Sequence, residues 1–200
     1  MEAEDAAADL KVCVVGPACG KTLLCQALAE QPIAPGVHEP TVGVRVQEVA
    51  ANVGAQREPV RAALWDVSSS PQYRKHWETL AQGLDGLLLV VDPARADECE
   101  RELEACYLRF AQPHALTTRQ CMVLALDARG AAAAVGGTAA WPGLKGKLGR
   151  LQSALVSVSA NAPEAGAQEA RRHIEKLLAG CLARKRDLAS RAVLGEGAEQ

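Results

Sequence analysis

The stretch VVGPACGKT, residues 14–22, decides the fold of this 200-residue chain. The run from Lys11 to Val15 is almost continuously apolar, which is typical of a strand buried on both faces, and Lys21–Glu30 is predicted to be the helix that follows. A glycine-containing turn between such a strand and such a helix directs backbone N–H groups toward phosphate oxygens. The stretch therefore predicts a phosphate-binding loop in an α/β domain.

Five positions of this loop are candidate contacts to a nucleotide. Gly16, Cys19 and Gly20 lie in the turn that wraps the phosphates, Lys21 supplies a point charge for the β- and γ-phosphates, and the Thr22 hydroxyl binds Mg²⁺. Only three residues separate the two glycines where the usual motif has four, which removes about 3.3–3.6 Å of chain. A glycine-rich turn that binds no ligand is the alternative.

Seven cysteines are spread along the chain, and no two form a C-x-x-C pair. Most fall on apolar strand or helix faces, where a cysteine behaves as a small hydrophobic side chain. The pattern predicts a reducing compartment and argues against a metal site. The thiol of Cys19 has a second interpretation, because a helix N-terminus and a nearby lysine lower the pKa of a thiol. We favour an inert side chain over a redox role.

The composition limits the kinds of partner. Two hundred residues fit one domain of about 100–200 residues with a short tail. The net charge of −2 argues against nucleic acid, because no basic field is present to displace counterions. No run approaches the ~20 apolar residues of a membrane span. No glycine follows Met1 and Cys181 lies well before the last residue, so we expect no lipid anchor.

The remaining apolar runs predict a layered α/β fold. Gly86–Asp92, Cys121–Asp127 and Ala154–Ser159 resemble strands buried on both faces. Apolar and polar residues alternate from 42 to 47 and again from 60 to 64, which predicts an antiparallel hairpin at a sheet edge. Segments of helical spacing lie between these strands. The order predicts a six-stranded, mostly parallel sheet with an antiparallel edge strand and helices on both faces.

Two further motifs stand where a Ras-like domain senses its nucleotide. Thr41, within EPTVGVRV, precedes the first hairpin strand, and Asp66 ends the second. Together with Thr22 they are the candidate Mg²⁺ ligands, and Thr41 also senses the γ-phosphate; a threonine that merely begins a strand is the alternative. Ser69 and Ser70 replace the glycine and glutamine of the usual second switch. Without the glutamine, no group is placed to orient an attacking water.

The base-reading end of the predicted site is the least complete. No N-K-x-D motif follows the fifth strand, where the chain reads LDARG. Asp127 and Arg129 are the remaining candidates for base recognition at this end. The loop of Ser159, Ala160 and Asn161 matches the S-A-K loop that lines a base pocket, although small polar residues commonly follow strands.

These motifs together resemble one family of small GTPase-like proteins. VVGPACGKTLL, EPTVGVRV and RFAQPHALTTRQCMVLAL, within about residues 10–182, are similar to the intraflagellar transport protein 22 (Rab-like protein 5) family, a subunit of intraflagellar transport complex B. The resemblance implies a Ras-like P-loop domain with atypical binding of GTP or GDP and Mg²⁺. It also implies docking onto coiled-coil subunits 74 and 81, and a place in the cytoplasm, the basal body and the cilium or flagellum.

We therefore divide the chain into a flexible acidic N-terminus (residues 1–9), a small GTPase-like domain (10–182) and a disordered tail (183–200). The absent hydrolytic and base-reading groups favour a binding subunit over an enzyme. One alternative is a slow GTP-binding switch that regulates assembly of the transport complex. A P-loop kinase is another, disfavoured because no arginine-rich lid segment is visible.

Two groups of side chains are candidate partner contacts. Tyr73 and Trp77 follow the second switch, and aromatic residues often anchor interfaces. Burial of Trp77 in the core is the alternative. The basic runs at 171–172 and 184–186 suit acidic coiled-coil faces, or are simply solvated helix surfaces.

Overall fold

A computed structural model of the protein describes residues 7–33, 39–128, 141, 143–159 and 163–193. Within them a six-stranded sheet forms the centre of the domain. The strands in chain order are β1 (Ala8–Val15), β2 (Val44–Val53), β3 (Glu58–Val67), β4 (Gly86–Val91), β5 (Cys121–Asp127) and β6 (Gln152–Ser157). The described helices are α1 (Lys21–Leu28), α2 (Trp77–Ala81), α3 (Ala96–Phe110) and α4 (Pro163–Val193).

The strands lie across the sheet in the order β2-β3-β1-β4-β5-β6. β2 pairs antiparallel with β3, and the other pairs of described strands are parallel. The predicted mostly parallel sheet with an antiparallel edge strand is thus confirmed. Every residue of β4 and β5 is buried, whereas exposed and buried residues alternate along most of β2, because only one face of that edge strand meets the core.

Apolar side chains form a layer on each face of the sheet. In β1, Val12 and Val14 belong to the layer that contains α1 and α4, whereas Cys13 and Val15 belong to the layer that contains α2 and α3. Successive side chains of a strand point to opposite faces, so a sheet covered on both sides needs apolar residues at consecutive positions. This requirement explains the unbroken apolar run before Gly16 and places the following loop at the carboxyl edge of the sheet.

Trp77 is a core residue. Its side chain lies against Phe110, with 5.3 Å between the ring centroids and 52° between the ring planes, and the residue is only 7% exposed. A side chain held in this way is not available to anchor a partner. The core alternative is therefore correct for Trp77, and its assignment as a partner contact is wrong. Tyr73 is partly exposed and stays a predicted contact.

Two elements extend beyond the predicted domain limits. α4 continues to Val193, so residues 183–193 are helical where a disordered tail was expected. β1 begins at Ala8, inside the segment 1–9 that was expected to be flexible. Although α4 is 31 residues long, neither it nor any other described helix has the apolar length needed to cross a membrane.

Basic side chains of α4 link the two extended elements to each other and to the sheet. The Nζ of Lys185 donates to the backbone carbonyl of Asp9 at 2.7 Å and to a carboxylate oxygen of Asp85 at 3.1 Å. The next residue, Arg186, forms an ion pair with Glu58 at the start of β3. These contacts join the late turns of α4 to the start of the sheet, so this part of the basic run is not simply a solvated surface.

Arg171 joins the first half of α4 to the end of α1 and to β2. Its guanidinium donates to the carbonyl of Leu28 at 2.8 Å, to the carbonyl of Ala50 at 3.2 Å and to the carboxylate of Glu30 at 2.9 Å. The last carbonyls of a helix have no partner within that helix, and here Arg171 satisfies one at the end of α1. The basic runs therefore act at least partly within the chain.

We expect Lys185→Ala to lower the free energy of unfolding by about 0.5–1 kcal/mol, because it removes two partly exposed hydrogen bonds to oxygen acceptors. Arg191→Ala is the matched control, since it also removes a cation from an exposed turn of α4. The control should show no measurable loss. Urea denaturation of both variants measures the difference, and equal stabilities would contradict the assigned role of Lys185.

Candidate nucleotide-binding site

The phosphate loop is held between β1 and α1 by two glycines in positive-φ conformations. Gly16 has φ +133° and Gly20 has φ +95°. A Cβ at Gly16 would lie 2.2 Å from the carbonyl oxygen of Val90 in β4, so the loop passes directly against the sheet. Gly20 is the N-cap of α1, and no side chain caps that helix end. The first amides of α1 therefore have no side-chain cap and point toward the space above the loop.

Lys21 closes the loop although the loop is one residue short. Its Nζ donates to the carbonyls of Gly16 and Pro17, at 2.8 Å in both cases, and the residue is 6% exposed. An ammonium group has three donors, so these two bonds leave one donor for a phosphate oxygen. The shortened spacing thus preserves a lysine anchored at the base of the cradle, which is the arrangement that a phosphate-binding loop needs.

Three predicted metal ligands meet in one place. The Thr22 hydroxyl donates to Oδ2 of Asp66 at 2.5 Å, the Thr41 hydroxyl lies 3.1 Å from the same oxygen, and the two hydroxyl oxygens are 2.9 Å apart. Asp66 is fully buried, and its Oδ1 has no hydrogen-bond partner among the described residues. The alternative in which Thr41 merely begins a strand does not account for this contact.

The donor set fits Mg²⁺. This ion prefers oxygen ligands and is usually held by one or two carboxylates together with hydroxyls and phosphate oxygens. A buried carboxylate with one unpaired oxygen is costly unless a cation or a hydrogen bond compensates it. Thr22, Thr41 and Asp66 are therefore the residues that would hold the ion. The described residues contain no separate group of three or more His, Cys, Asp or Glu side chains able to hold a metal.

A cavity of about 160 Å³ lies beside these ligands. Lys21, Thr22 and Thr41 contribute to its wall, and so does the second-switch segment at residues 68–70. Sequence reasoning identified the last two of these serines only as replacements for missing groups and did not consider Ser68. That residue is 4% exposed and accepts a hydrogen bond from the amide of Ser70 at 3.3 Å. The sequence feature that could have identified Ser68 is its position two residues after the predicted metal ligand Asp66.

Cys19 lies in the loop, but its side chain turns away from solvent. Its Sγ lies 3.4 Å from the carbonyl oxygen of Val90, and the residue is buried. Burial raises the pKa of this thiol to about 12, more than the Lys21 charge lowers it. The thiol is therefore protonated at neutral pH, which agrees with the inert interpretation. Any contact of Cys19 to a phosphate has to come from its backbone amide.

The base-reading end of the site is only partly described. Asp127 is buried at the end of β5, and its backbone carbonyl accepts from the amide of Val158 at 3.1 Å. This pairing brings the chain after β6, and with it Ser159, to the edge where β5 ends. Ala160, Asn161 and Arg129 lie outside the described residues, so the assignments made for them stay predictions.

The chain is similar to several known proteins. Residues 3–132 match the profile of the ADP-ribosylation factor family. Intraflagellar transport protein 22 of Chlamydomonas reinhardtii is 46% identical over 181 residues, which cover 89% of this chain and 91% of that protein. The Xenopus tropicalis homolog is 28% identical over 117 residues, 58% of this chain and 63% of that one. In fold, the chain resembles the T. brucei IFT22/74/81 GTP-bound crystal structure (TM-score 0.64, 23% identity, 88% of this chain and 98% of that chain).

We expect Gly16→Ala to lower the free energy of unfolding by about 3 kcal/mol or more, because the new Cβ meets the Val90 carbonyl within a paired strand. Gly54→Ala is the control. Gly54 also has a positive φ, +73°, but nothing lies within 4 Å of the position that its new methyl group would take. The control should therefore lose only about 1–2 kcal/mol. If urea denaturation showed the same loss of unfolding free energy for both variants, the close approach of Gly16 to β4 would not contribute to stability.

Proposed function

The chain belongs to the intraflagellar transport protein 22 family and has an Arf-like small GTPase domain, and from this premise we propose that it is the GTPase-like binding subunit of intraflagellar transport complex B. Its place of action is then the cytoplasm, the basal body and the cilium or flagellum. The observation that carries the nucleotide part of the proposal is the meeting of Thr22, Thr41 and Asp66 beside the anchored Lys21.

The proposed ligand is GTP or GDP with Mg²⁺. Lys21 offers its remaining donor to a phosphate oxygen, and the uncapped amides at the start of α1 offer further donors. When bound, Mg²⁺ neutralises charge on the phosphates. Thr22 and Asp66 hold the ion from the loop and from β3, and Thr41 adds a hydroxyl from the segment before β2.

Hydrolysis is expected to be slow in this proposal. Ser70 occupies the position at which a Ras-like domain carries the glutamine that orients water. A serine side chain is two bonds shorter than a glutamine side chain. Its single oxygen both donates and accepts, whereas the glutamine amide has separate donor and acceptor atoms. The domain is therefore proposed as a binding component and not as an efficient GTPase.

The proposed partners are coiled-coil subunits 74 and 81. The T. brucei structure of similar fold contains IFT22 with 74 and 81, and the family assignment extends that expectation to this chain.

One observation favours a second candidate function, a slow GTP-binding switch. Val42 directly follows the metal-site residue Thr41 and is 77% exposed, so a partner that covers Val42 would respond to the occupancy of the site.

We expect labelled GTP and GDP to bind the purified protein, and we expect EDTA to weaken the binding. Lys21→Ala should reduce the affinity at least about tenfold in either condition, because it removes a donor to a charged group. Asp66→Asn should reduce it only in the presence of Mg²⁺. Asp187→Asn, a matched change on an exposed turn of α4, should leave it unchanged.

Fluorescence titration gives these affinities, and thermal unfolding without nucleotide checks that each variant is folded. Because Asp66 is buried, its substitution can disturb folding, so Thr22→Ala serves as a second variant that tests the effect of Mg²⁺ on nucleotide affinity. Absence of any nucleotide binding by the wild-type chain would refute the nucleotide part of the proposal. It would leave the partner part to the next experiment.

We expect the full chain to co-purify with coiled-coil subunits 74 and 81 after co-expression and size-exclusion chromatography. Val42→Asp should weaken the complex if a partner covers Val42, because it places a charge in an apolar contact. Val193→Asp is its matched control, since Val193 is also a highly exposed valine. A folded wild-type chain that elutes alone in every nucleotide state would refute the adaptor function. Equal binding by both variants would remove the support for the switch.

A further inference from the structure

The second-switch segment carries three consecutive serines, and the last two stand where related domains place a glycine and a glutamine. Ser68, Ser69 and Ser70 all line the cavity of about 160 Å³ that also contains Lys21 and Thr22. The serines begin two residues after Asp66, the proposed metal ligand. A run of hydroxyl groups therefore lines the same small cavity as Lys21 and the two threonines of the phosphate site.

Ser68 fixes the course of this segment. Its amide donates to the carbonyl of Gly43 at 2.9 Å, which ties the end of β3 to the start of β2. Its side-chain oxygen accepts from the amide of Ser70 at 3.3 Å. A buried serine that bonds in both directions holds the next two residues in place beside the cavity. The hydroxyls of those residues are then positioned before any ligand arrives.

The hydroxyls of Ser69 and Ser70 are available. Ser70 precedes the 3-10 turn Pro71–His76 as its N-cap residue, a position where serine usually accepts from the following amides, yet it makes no side-chain capping bond. Neither hydroxyl has a hydrogen-bond partner among the described residues. Both residues are partly exposed, as expected for a cavity wall. Two unengaged donors thus lie next to a lysine with one donor to spare.

We infer that Ser69 and Ser70 donate their hydroxyl hydrogens to the terminal phosphate of bound GTP and so make the site prefer GTP to GDP. This inference rests on the proposed function, because it concerns the same nucleotide site. Each hydroxyl supplies one donor to an anionic oxygen, which is among the stronger kinds of hydrogen bond. GDP lacks the γ-phosphate and leaves these donors without an anionic acceptor.

The same geometry separates recognition from hydrolysis. A hydroxyl that donates to a phosphate oxygen holds the phosphate, but its short side chain does not extend beyond it to a water molecule in line for attack. The serine segment therefore retains the triphosphate without accelerating its cleavage. No proton transfer and no covalent step are required of either serine.

The test compares affinities for a non-hydrolysable GTP analogue and for GDP. We expect Ser69→Ala with Ser70→Ala to lower the affinity for the analogue about tenfold or more and to leave the affinity for GDP within about twofold. Ser69→Thr with Ser70→Thr keeps both hydroxyls and should retain the preference. Ser190→Ala removes a hydroxyl from an exposed turn of α4 and should change neither affinity.

The outcomes are distinguishable. An unchanged analogue-to-GDP ratio in the double alanine variant, with the wild-type chain still binding both nucleotides, overturns the inference and leaves the proposed function standing. Equal loss of both affinities overturns it as well, since that result indicates a general effect on the loop. Failure of the wild-type chain to bind either nucleotide overturns both proposals. Thermal unfolding of each variant without nucleotide shows whether a loss reflects folding.

Discussion

The buried carboxylate of Asp66 is the constraint on which the rest of the site depends. An ionised carboxylate is costly to bury unless hydrogen bonds or a cation compensate its charge. Two hydroxyl groups, from Thr22 and Thr41, contact one of its oxygens, while the other has no partner among the described residues. The head of α1, the segment before β2 and the end of β3 therefore meet at a single group. A cation or a hydrogen-bond donor that binds the unpartnered oxygen of Asp66 therefore affects all three of these segments.

The short phosphate loop is tolerated because its closure depends on its ends. Gly16 lies against Val90, and Gly20 begins α1 in a left-handed conformation. Lys21 reaches back to the carbonyls of residues 16 and 17. Relative to the usual motif, the missing residue therefore falls in the middle of the loop, between Gly16 and Gly20. What the deletion changes is the number of amides that face a ligand, and Pro17 provides none.

The mostly parallel sheet with its antiparallel edge strand was predictable from local signals, whereas the metal-site residues were predictable from the places of their motifs in a Ras-like domain. A strand buried on both faces is apolar at consecutive positions, whereas an edge strand alternates apolar and polar residues, so short stretches of sequence distinguish the two. The phosphate-loop motif in turn follows directly after the first strand. The late turns of α4 were not predictable, since Lys185 bonds to residues 100 and 176 positions away. Composition alone suggests a solvated tail for such a run. The part played by Ser68 was missed for a similar reason, because its bond to Gly43 joins the second-switch segment to a residue 25 positions earlier in the chain.

The two ends of the site differ in what they retain. The phosphate end keeps an anchored lysine, two hydroxyls and a buried carboxylate, whereas the chain after β5 lacks the N-K-x-D residues that recognise guanine. Contacts to phosphates and to a metal ion do not depend on the base, so the part of the site that the structure describes most fully is the part that would recognise the phosphates. In the proposed function cleavage is slow, because Ser70 stands where the glutamine that orients water is usually found. On that proposal, release and rebinding of nucleotide set the state of the site, and a partner that contacts the residues around Thr41 and Ser70 acts on those two rates and not on a chemical step.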